Sequence, residues 1–151
     1  MVRQPSGYEK ILRATRDKEG QVINAQITIP LDIPEVRVLN IEISPRGECT
    51  ITVESTVEGT TCRKWGPEIR TVHGLDEWRT VRHLPILGRK VFLRLRPKRY
   101  RCPYCEGGPT TTQALAWYTA KSPHTKAYEK YLLVQLVHAT VEDVSIKEEL
   151  G

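Results

Sequence analysis

The four cysteines are the residues of this sequence whose type and spacing could do chemistry. Cys102 and Cys105 enclose Pro-Tyr in a Cys-x-x-Cys motif, and Cys62 and Cys49 lie upstream of it. Two thiolates separated by two residues can converge on one zinc ion, and the tight turn offers backbone N–H groups to the sulfurs. The alternative, a thioredoxin-like redox pair, requires the motif to open a helix inside a βαβ unit. Here a basic strand precedes the motif and a Gly-Gly-Pro loop follows it, so the pattern favours zinc.

A structural zinc site needs four ligands, normally two such pairs. Cys62 is the natural start of the second pair, but Trp65 stands where the other cysteine of that pair would be. His73 could supply the fourth ligand. Cys49 could also do so, although its phase in a predicted strand favours a small buried hydrophobe. Water at the fourth position, or no stable site, stays open too. We predict a Zn²⁺ site whose ligands are Cys62, Cys102, Cys105 and His73.

Positive charge is concentrated in the middle of the chain. Between Cys62 and Arg101 there are 12 lysines and arginines against 3 acids, a net charge of +9, whereas the remaining residues carry −4. The ordinary explanation of such a run is a solvated face, but a long and nearly unmixed run is typical of a protein that binds a polyanion. The residues that we predict to contact DNA are Arg89, Lys90, Arg94, Arg96, Lys98, Arg99 and Arg101.

The elements that must position these residues are mainly strands. Residues 36–43 and 49–53 alternate apolar and polar side chains around turn-forming residues 44–47, which predicts a hairpin. Residues 90–96 predict a strand with one apolar and one basic face. Between these units we expect two weaker strands, over 69–72 and 77–83, joined by a turn at Gly74.

The C-terminal residues change to helical spacing. Ser122 followed by proline predicts a helix N-cap, with apolar residues recurring at helical spacing from 125 to about 139. Thr140 is expected to cap a second helix over 141–150, with acids in its first turn. Two adjacent helices resemble the first part of a helix-turn-helix whose recognition helix is absent.

Together these patterns predict an α+β chain. A β-rich, zinc-ribbon-like domain of antiparallel hairpins over 35–112 would follow an N-terminal arm over 1–34, in which residues 8–13 could form a short helix. The helical segment would occupy 113–151. No run of about 18 apolar residues is present, which excludes a membrane-spanning helix, and the N-terminal residues lack signal-peptide features. We therefore expect a cytoplasmic protein.

Several strings resemble one family in combination. They are Thr61-Cys-Arg-Lys-Trp-Gly66, Val72-His-Gly74, Val81-Arg-His-Leu-Pro-Ile-Leu-Gly88, Leu93-Arg-Leu-Arg-Pro-Lys-Arg-Tyr-Arg-Cys-Pro-Tyr-Cys105, Ser122-Pro-His-Thr-Lys-Ala-Tyr128 and Val141-Glu-Asp-Val-Ser145. Over roughly residues 36–151 the chain is similar to the N-terminal region of the ISL-three family of bacterial insertion-sequence transposases. That region binds the DNA of the element ends, and a later domain cuts and joins strands with carboxylates and divalent metal.

The resemblance implies zinc ligation by Cys62, Cys102 and Cys105 and a fourth cysteine at position 65, where this chain has Trp65. The family often has a histidine at the place of His73 besides its four cysteines, so His73 need not be a ligand. The resemblance also implies binding of double-stranded DNA in the bacterial cytoplasm, associated with the nucleoid. We expect no enzymatic activity, because the acids are scattered and the strand-cutting domain is absent from this sequence.

Two alternatives to DNA binding remain. One is a zinc-stabilised module that dimerises or binds a full-length transposase through an uncovered face of Tyr128, Tyr131 and Leu132. The other is a nonfunctional remnant whose Trp65 has abolished the metal site.

Overall fold

A computed structural model describes residues 8–13, 26–64 and 66–150, with side chains from residue 28 onward. Within these ranges the protein is β-rich, with several antiparallel sheets and two helices, so the prediction of an α+β chain is confirmed. The strands are β1 (Tyr8–Arg13), β2 (Gln26–Pro30), β3 (Val36–Ile43), β4 (Cys49–Ser55), β5 (Thr60–Thr61), β6 (Glu68–Ile69), β7 (Thr71–Leu75), β8 (Arg79–Ile86), β9 (Arg89–Leu95), β10 (Lys98–Arg101) and β11 (Thr110–Thr112). The helices are α1 (Lys126–Gln135) and α2 (Val141–Lys147).

The largest sheet has the order β3-β4-β9-β8. The predicted β3–β4 hairpin is confirmed, and β8 and β9 form a second hairpin through a turn at Leu87 and Gly88, both of which have positive φ. The two hairpins are joined by parallel pairing of β4 with β9, which local sequence patterns did not indicate. In β9 the alternation is as predicted: Val91, Leu93 and Leu95 are buried while Arg94 is exposed.

One large core lies on the apolar face of this sheet. Besides residues of β3, β4, β8 and β9, it contains Leu31 and Ile33 from before the sheet and Trp117 and Tyr118 from after it. The two boundaries predicted from the sequence, after residues 34 and 112, therefore both run through one packed core. The expectation of a helix over residues 8–13 was wrong: β1 pairs antiparallel with β2, and this long-range pairing outweighs weak local helix propensity.

A smaller unit carries the Cys-x-x-Cys motif. It consists of the short β5–β6 pair and the sheet β11-β10-β7. The predicted turn at Gly74 is wrong, because Gly74 lies inside β7 and β7 pairs with β10 instead of β8. Arg99 lies opposite Gly74 and Tyr100 opposite Val72, so His73 is the extra residue of a β-bulge. Gly74 has φ of 130°, a backbone conformation that side chains disfavour.

The two helices follow the strands. The N-cap of α1 is Thr125 and not Ser122 as predicted, because the backbone on both sides of His124 bonds to Arg82 of β8 and stays extended. Thr140 caps α2 as expected. Tyr128 is buried, so the face of Tyr128, Tyr131 and Leu132 is not uncovered as expected. The arrangement of the two helices as part of a helix-turn-helix stays a prediction. No helix in the described part of the chain is long and apolar enough to cross a membrane.

Candidate metal centre and basic surface

Three cysteine sulfurs meet at one end of the smaller unit. Cys62 directly follows β5, and Cys102 and Cys105 lie in the loop that follows β10. Their Sγ atoms all lie within 4.8 Å of one another, and the Sγ atoms of Cys62 and Cys105 are 3.8 Å apart. Two sulfurs bound to one tetrahedral zinc at about 2.3 Å lie about 3.8 Å apart, so the spacing fits zinc.

Backbone hydrogen bonds hold both ligand-bearing loops. In the first loop the N–H of Cys62 donates to Pro67 O at 2.8 Å, and the N–H of Gly66 donates to Cys62 O at 2.9 Å. In the second loop the N–H of Cys102 donates to Pro109 O at 3.0 Å, and the N–H of Gly108 donates to Cys105 O at 3.2 Å. These bonds hold the backbone of both loops before a metal binds, which reduces the backbone entropy lost on binding.

The sulfurs sit against a small apolar core. Cys62 and Cys102 are buried with Ile69 and Tyr100, while Cys105 is half-buried at the edge. Burial raises the pKa of the Cys105 thiol to about 11, and the neighbouring Cys102 and Cys62 contribute to the rise. A divalent cation reverses this effect because it stabilises thiolates, so metal binding here must release protons.

The structure does not bring His73 to the sulfurs. His73 lies in the β7 bulge, all of β7 is exposed, and among the described residues the potential ligands grouped with one another are the three cysteines. Pairing with β10 places β7 at the edge of its sheet. His73 is therefore held away from the sulfurs, although it follows Cys62 by only eleven residues in the chain. Cys49 is buried in the large core, as its strand phase indicated. Trp65 lies outside the described residues.

The seven predicted DNA-contacting residues divide into two groups. Lys90 forms an ion pair with Glu149, and Arg89 donates to Gly47 O at 3.3 Å, so both serve contacts within the protein. The other five are Arg94, Arg96, Lys98, Arg99 and Arg101. Within the described residues none of these five forms an ion pair with an acid.

Four of these arginines are linked by a series of contacts that we call the arginine strip (Arg94, Arg96, Arg99 and Arg101, with Trp78). The guanidinium carbons of Arg94 and Arg96 lie 4.3 and 5.6 Å from the centre of the Trp78 ring, which is about half exposed. This cation–π arrangement orders two charges without neutralising them.

The strip continues from β9 onto the smaller unit through Asp76. Arg96 donates to the backbone oxygen of Asp76 at 2.9 Å, and the Asp76 carboxylate accepts from Thr112 at 2.9 Å. In the pairing of β10 with β11, Thr112 lies opposite Arg99 and Thr110 lies opposite Arg101. Arg99 also donates to the Thr110 hydroxyl at 2.6 Å. Arg101 lies over Gly108, where a Cβ would collide with its guanidinium.

A buried polar network, which the sequence analysis missed, fastens the helices to the large sheet. Arg82 and Glu148 are both more than nine-tenths buried and lie 3.8 Å apart. Glu148 also accepts from Tyr131, Gln135 and Tyr128, at 2.9, 3.1 and 3.3 Å. Burial raises the pKa of Glu148, but the hydrogen bonds and the Arg82 charge outweigh it and hold the pKa below its usual value.

A second part of the buried network surrounds His83 of β8, which is 2% exposed. Its Nδ1 lies 2.8 Å from the hydroxyl of Thr125, and its Nε2 bonds to Leu31 O. Since Leu31 O can only accept, we assign the proton to Nε2, and the Thr125 hydroxyl then donates to Nδ1 while accepting from the N–H of Tyr128. Burial lowers the pKa of His83.

One family comparison bears on this chain. Residues 69–105 match the family described as the zinc-finger of transposase IS204/IS1001/IS1096/IS1165. The match covers about a quarter of the chain and includes Cys102 and Cys105. Searches of curated proteins and of solved structures found no match. With the three-cysteine cluster, the match confirms the resemblance to this transposase family and a zinc-binding chemistry. Residues 69–105 are therefore similar to the zinc-finger segment of ISL-three-type transposases.

Proposed function

We propose that this chain binds double-stranded DNA as the end-binding region of a transposase. The observation that carries the proposal is the arginine strip, which joins four guanidinium groups without acidic partners over β9 and β10. Guanidinium groups suit phosphate oxygens because their N–H groups form a planar, bidentate donor. Zinc at the three cysteines would stabilise β10, and hence the half of the strip that lies on the smaller unit.

Binding rather than strand cleavage is the activity that we assign to this region. The group of potential metal ligands in the described residues consists of cysteines, and thiolates suit a structural zinc better than the Mg²⁺ that strand cleavage uses.

The test is the salt dependence of DNA binding, measured by fluorescence anisotropy with a labelled duplex and with a single strand of the same sequence. Each phosphate contact contributes about 0.9 to the slope of log K against log salt, so replacing all four arginines with glutamine should reduce the slope by about 3.6 if each contacts a phosphate. Arg37→Gln is the matched control, because Arg37 is exposed but paired with Glu54. An unchanged slope in the fourfold variant, or tighter binding to the single strand, would contradict the proposal.

A second candidate function is self-association, or association with a full-length transposase, through the helices. The helices and the segment that joins them carry five large apolar side chains that are 63–70% exposed, namely Leu133, Val134, Val137, Val141 and Ile146. Sedimentation equilibrium should then show concentration-dependent dimers that Val134→Lys/Val137→Lys abolishes. A monomer at every concentration would remove self-association as a candidate.

A further inference from the structure

The chain contains four cysteines and four histidines, and all eight lie within the described residues. Three of the cysteines form the sulfur cluster, and Cys49 is buried in the other core. None of the four histidines joins the sulfurs. His73 and His138 are exposed, His83 is bonded to Leu31 and Thr125, and the His124 ring packs at a tilt against Tyr128 with ring centres 5.2 Å apart. The positions of all cysteine and histidine side chains are therefore accounted for.

Carboxylates of the described residues do not complete the cluster either. Glu106 directly follows Cys105 in the chain, yet its carboxylate is not grouped with the three sulfurs. Glu68, next to the buried Ile69, is exposed and forms an ion pair with Arg70 at 3.0 Å.

The two ligand loops share one backbone hydrogen bond but differ in the number of sulfur donors. Each begins with a cysteine whose N–H is bonded to a proline carbonyl, at Pro67 in the first loop and Pro109 in the second. The second loop carries two sulfurs, whereas the first carries one, because the residue three positions after Cys62 is Trp65. The two loops together therefore bring three sulfurs to the cluster, where two Cys-x-x-Cys loops would bring four.

Solvent can reach the cluster from one side. Cys62 and Cys102 are buried, but Cys105 is half-buried, and the adjacent Tyr104 is about two-thirds exposed. A ligand at the remaining coordination position can therefore exchange with the solvent along the Cys105 side.

We propose that zinc at Cys62, Cys102 and Cys105 keeps one coordination position that none of the described residues fills, and that this position exchanges water for a small-molecule thiolate. The thiol gives its proton to the solvent as its sulfur displaces the water, so no oxidant or reductant is involved. A structural zinc site is closed by four protein ligands, and three protein ligands with an exchangeable fourth is the arrangement of an open site. The proposal extends beyond DNA binding and does not depend on it.

Cobalt(II) in place of zinc gives a direct optical measure of the ligand set. We expect the purified chain to bind one cobalt. Addition of 2-mercaptoethanol should raise the sulfur-to-cobalt charge-transfer absorbance per metal by about one third, as three Co–S bonds become four. Trp65→Cys should start at the higher absorbance and not respond to the thiol. Trp65→Ala, which removes the indole without adding a thiol, should respond as the unaltered chain does.

The cobalt measurement on the unaltered chain tests the open coordination position even if a variant fails to fold. A cobalt spectrum that is insensitive to added thiol would mean that a protein group already closes the site. Failure to bind cobalt or zinc would mean that three thiolates do not hold a metal here. Either result overturns the proposal and leaves the salt dependence of DNA binding as a separate question.

Discussion

The buried pair of Arg82 and Glu148 allows a quantitative prediction. Arg82 lies on β8, Glu148 ends α2, and both side chains are at least nine-tenths buried. Glu148→Gln keeps the volume of the side chain and an oxygen that can accept from Tyr131. The substitution therefore removes mainly the negative charge that offsets the buried guanidinium.

The magnitude follows from the separation of the two groups. At 3.8 Å and an effective dielectric constant of about 20, the Coulomb energy of two unit charges is about 4 kcal/mol. Removing one member of a buried pair typically costs about 3–5 kcal/mol, because the other charge is left uncompensated. We expect Glu148→Gln to lower the free energy of unfolding by about 3 kcal/mol. Arg82→Met/Glu148→Gln should be more stable than the sum of the two single changes predicts, by about 2–3 kcal/mol.

Urea unfolding followed by tryptophan fluorescence measures the global effect, since Trp117 is buried in the large core. Amide hydrogen exchange in α2 detects an opening of the helices that leaves the sheet folded. A loss below about 1 kcal/mol in both measurements, or additive single changes, would refute the argument that this pair fastens the helices to the sheet.

Three other perturbations have defined outcomes. Because burial lowers the pKa of His83, the unfolded chain binds more protons than the folded chain below about pH 6.5. The free energy of unfolding should therefore fall with decreasing pH, by up to about 1.4 kcal/mol per pH unit, and His83→Gln should flatten this dependence in urea titrations. Thr125→Ala removes both the cap of α1 and the hydrogen-bond donor to His83, and should lower the free energy of unfolding by about 2 kcal/mol. The control Thr80→Ala changes an exposed threonine that caps no helix, and should lower it by about a few tenths of a kcal/mol in the same titration. Cys102→Ser should abolish stoichiometric zinc by elemental analysis and lower hydrogen-exchange protection in β10 while leaving β4 protected; full zinc content would contradict the assigned ligand set.

Local periodicity was sufficient for the strands of the large sheet. The alternation in β4 and β9 predicted both the strands and their buried faces, because a two-residue period depends only on neighbouring residues. Pairing partners beyond the β3–β4 hairpin were not predictable in this way. The parallel pairing of β4 with β9 and the antiparallel pairing of β7 with β10 join residues far apart in the chain. The sequence around Gly74 does not indicate which strand β7 pairs with.

Helix capping also shows the difference between local sequence signals and long-range contacts, here at single residues. Ser122 before proline has the composition of an N-cap, yet α1 begins after Thr125 because β8 holds the intervening backbone extended. Thr140 had no such competitor and caps α2 as predicted. A local signal therefore succeeded where no other element bonds to the same backbone.

The cysteine site divides along the same line. The sequence by itself determined that the first loop carries a single thiol, since Trp65 stands three positions after Cys62. Only the tertiary structure decided that Cys62 meets Cys105, 43 positions away in the chain, at 3.8 Å, while His73, much nearer to Cys62 in the chain, faces the solvent. The physical reason is that strand pairing sets the direction of each side chain, so separation along the chain does not determine which ligands converge.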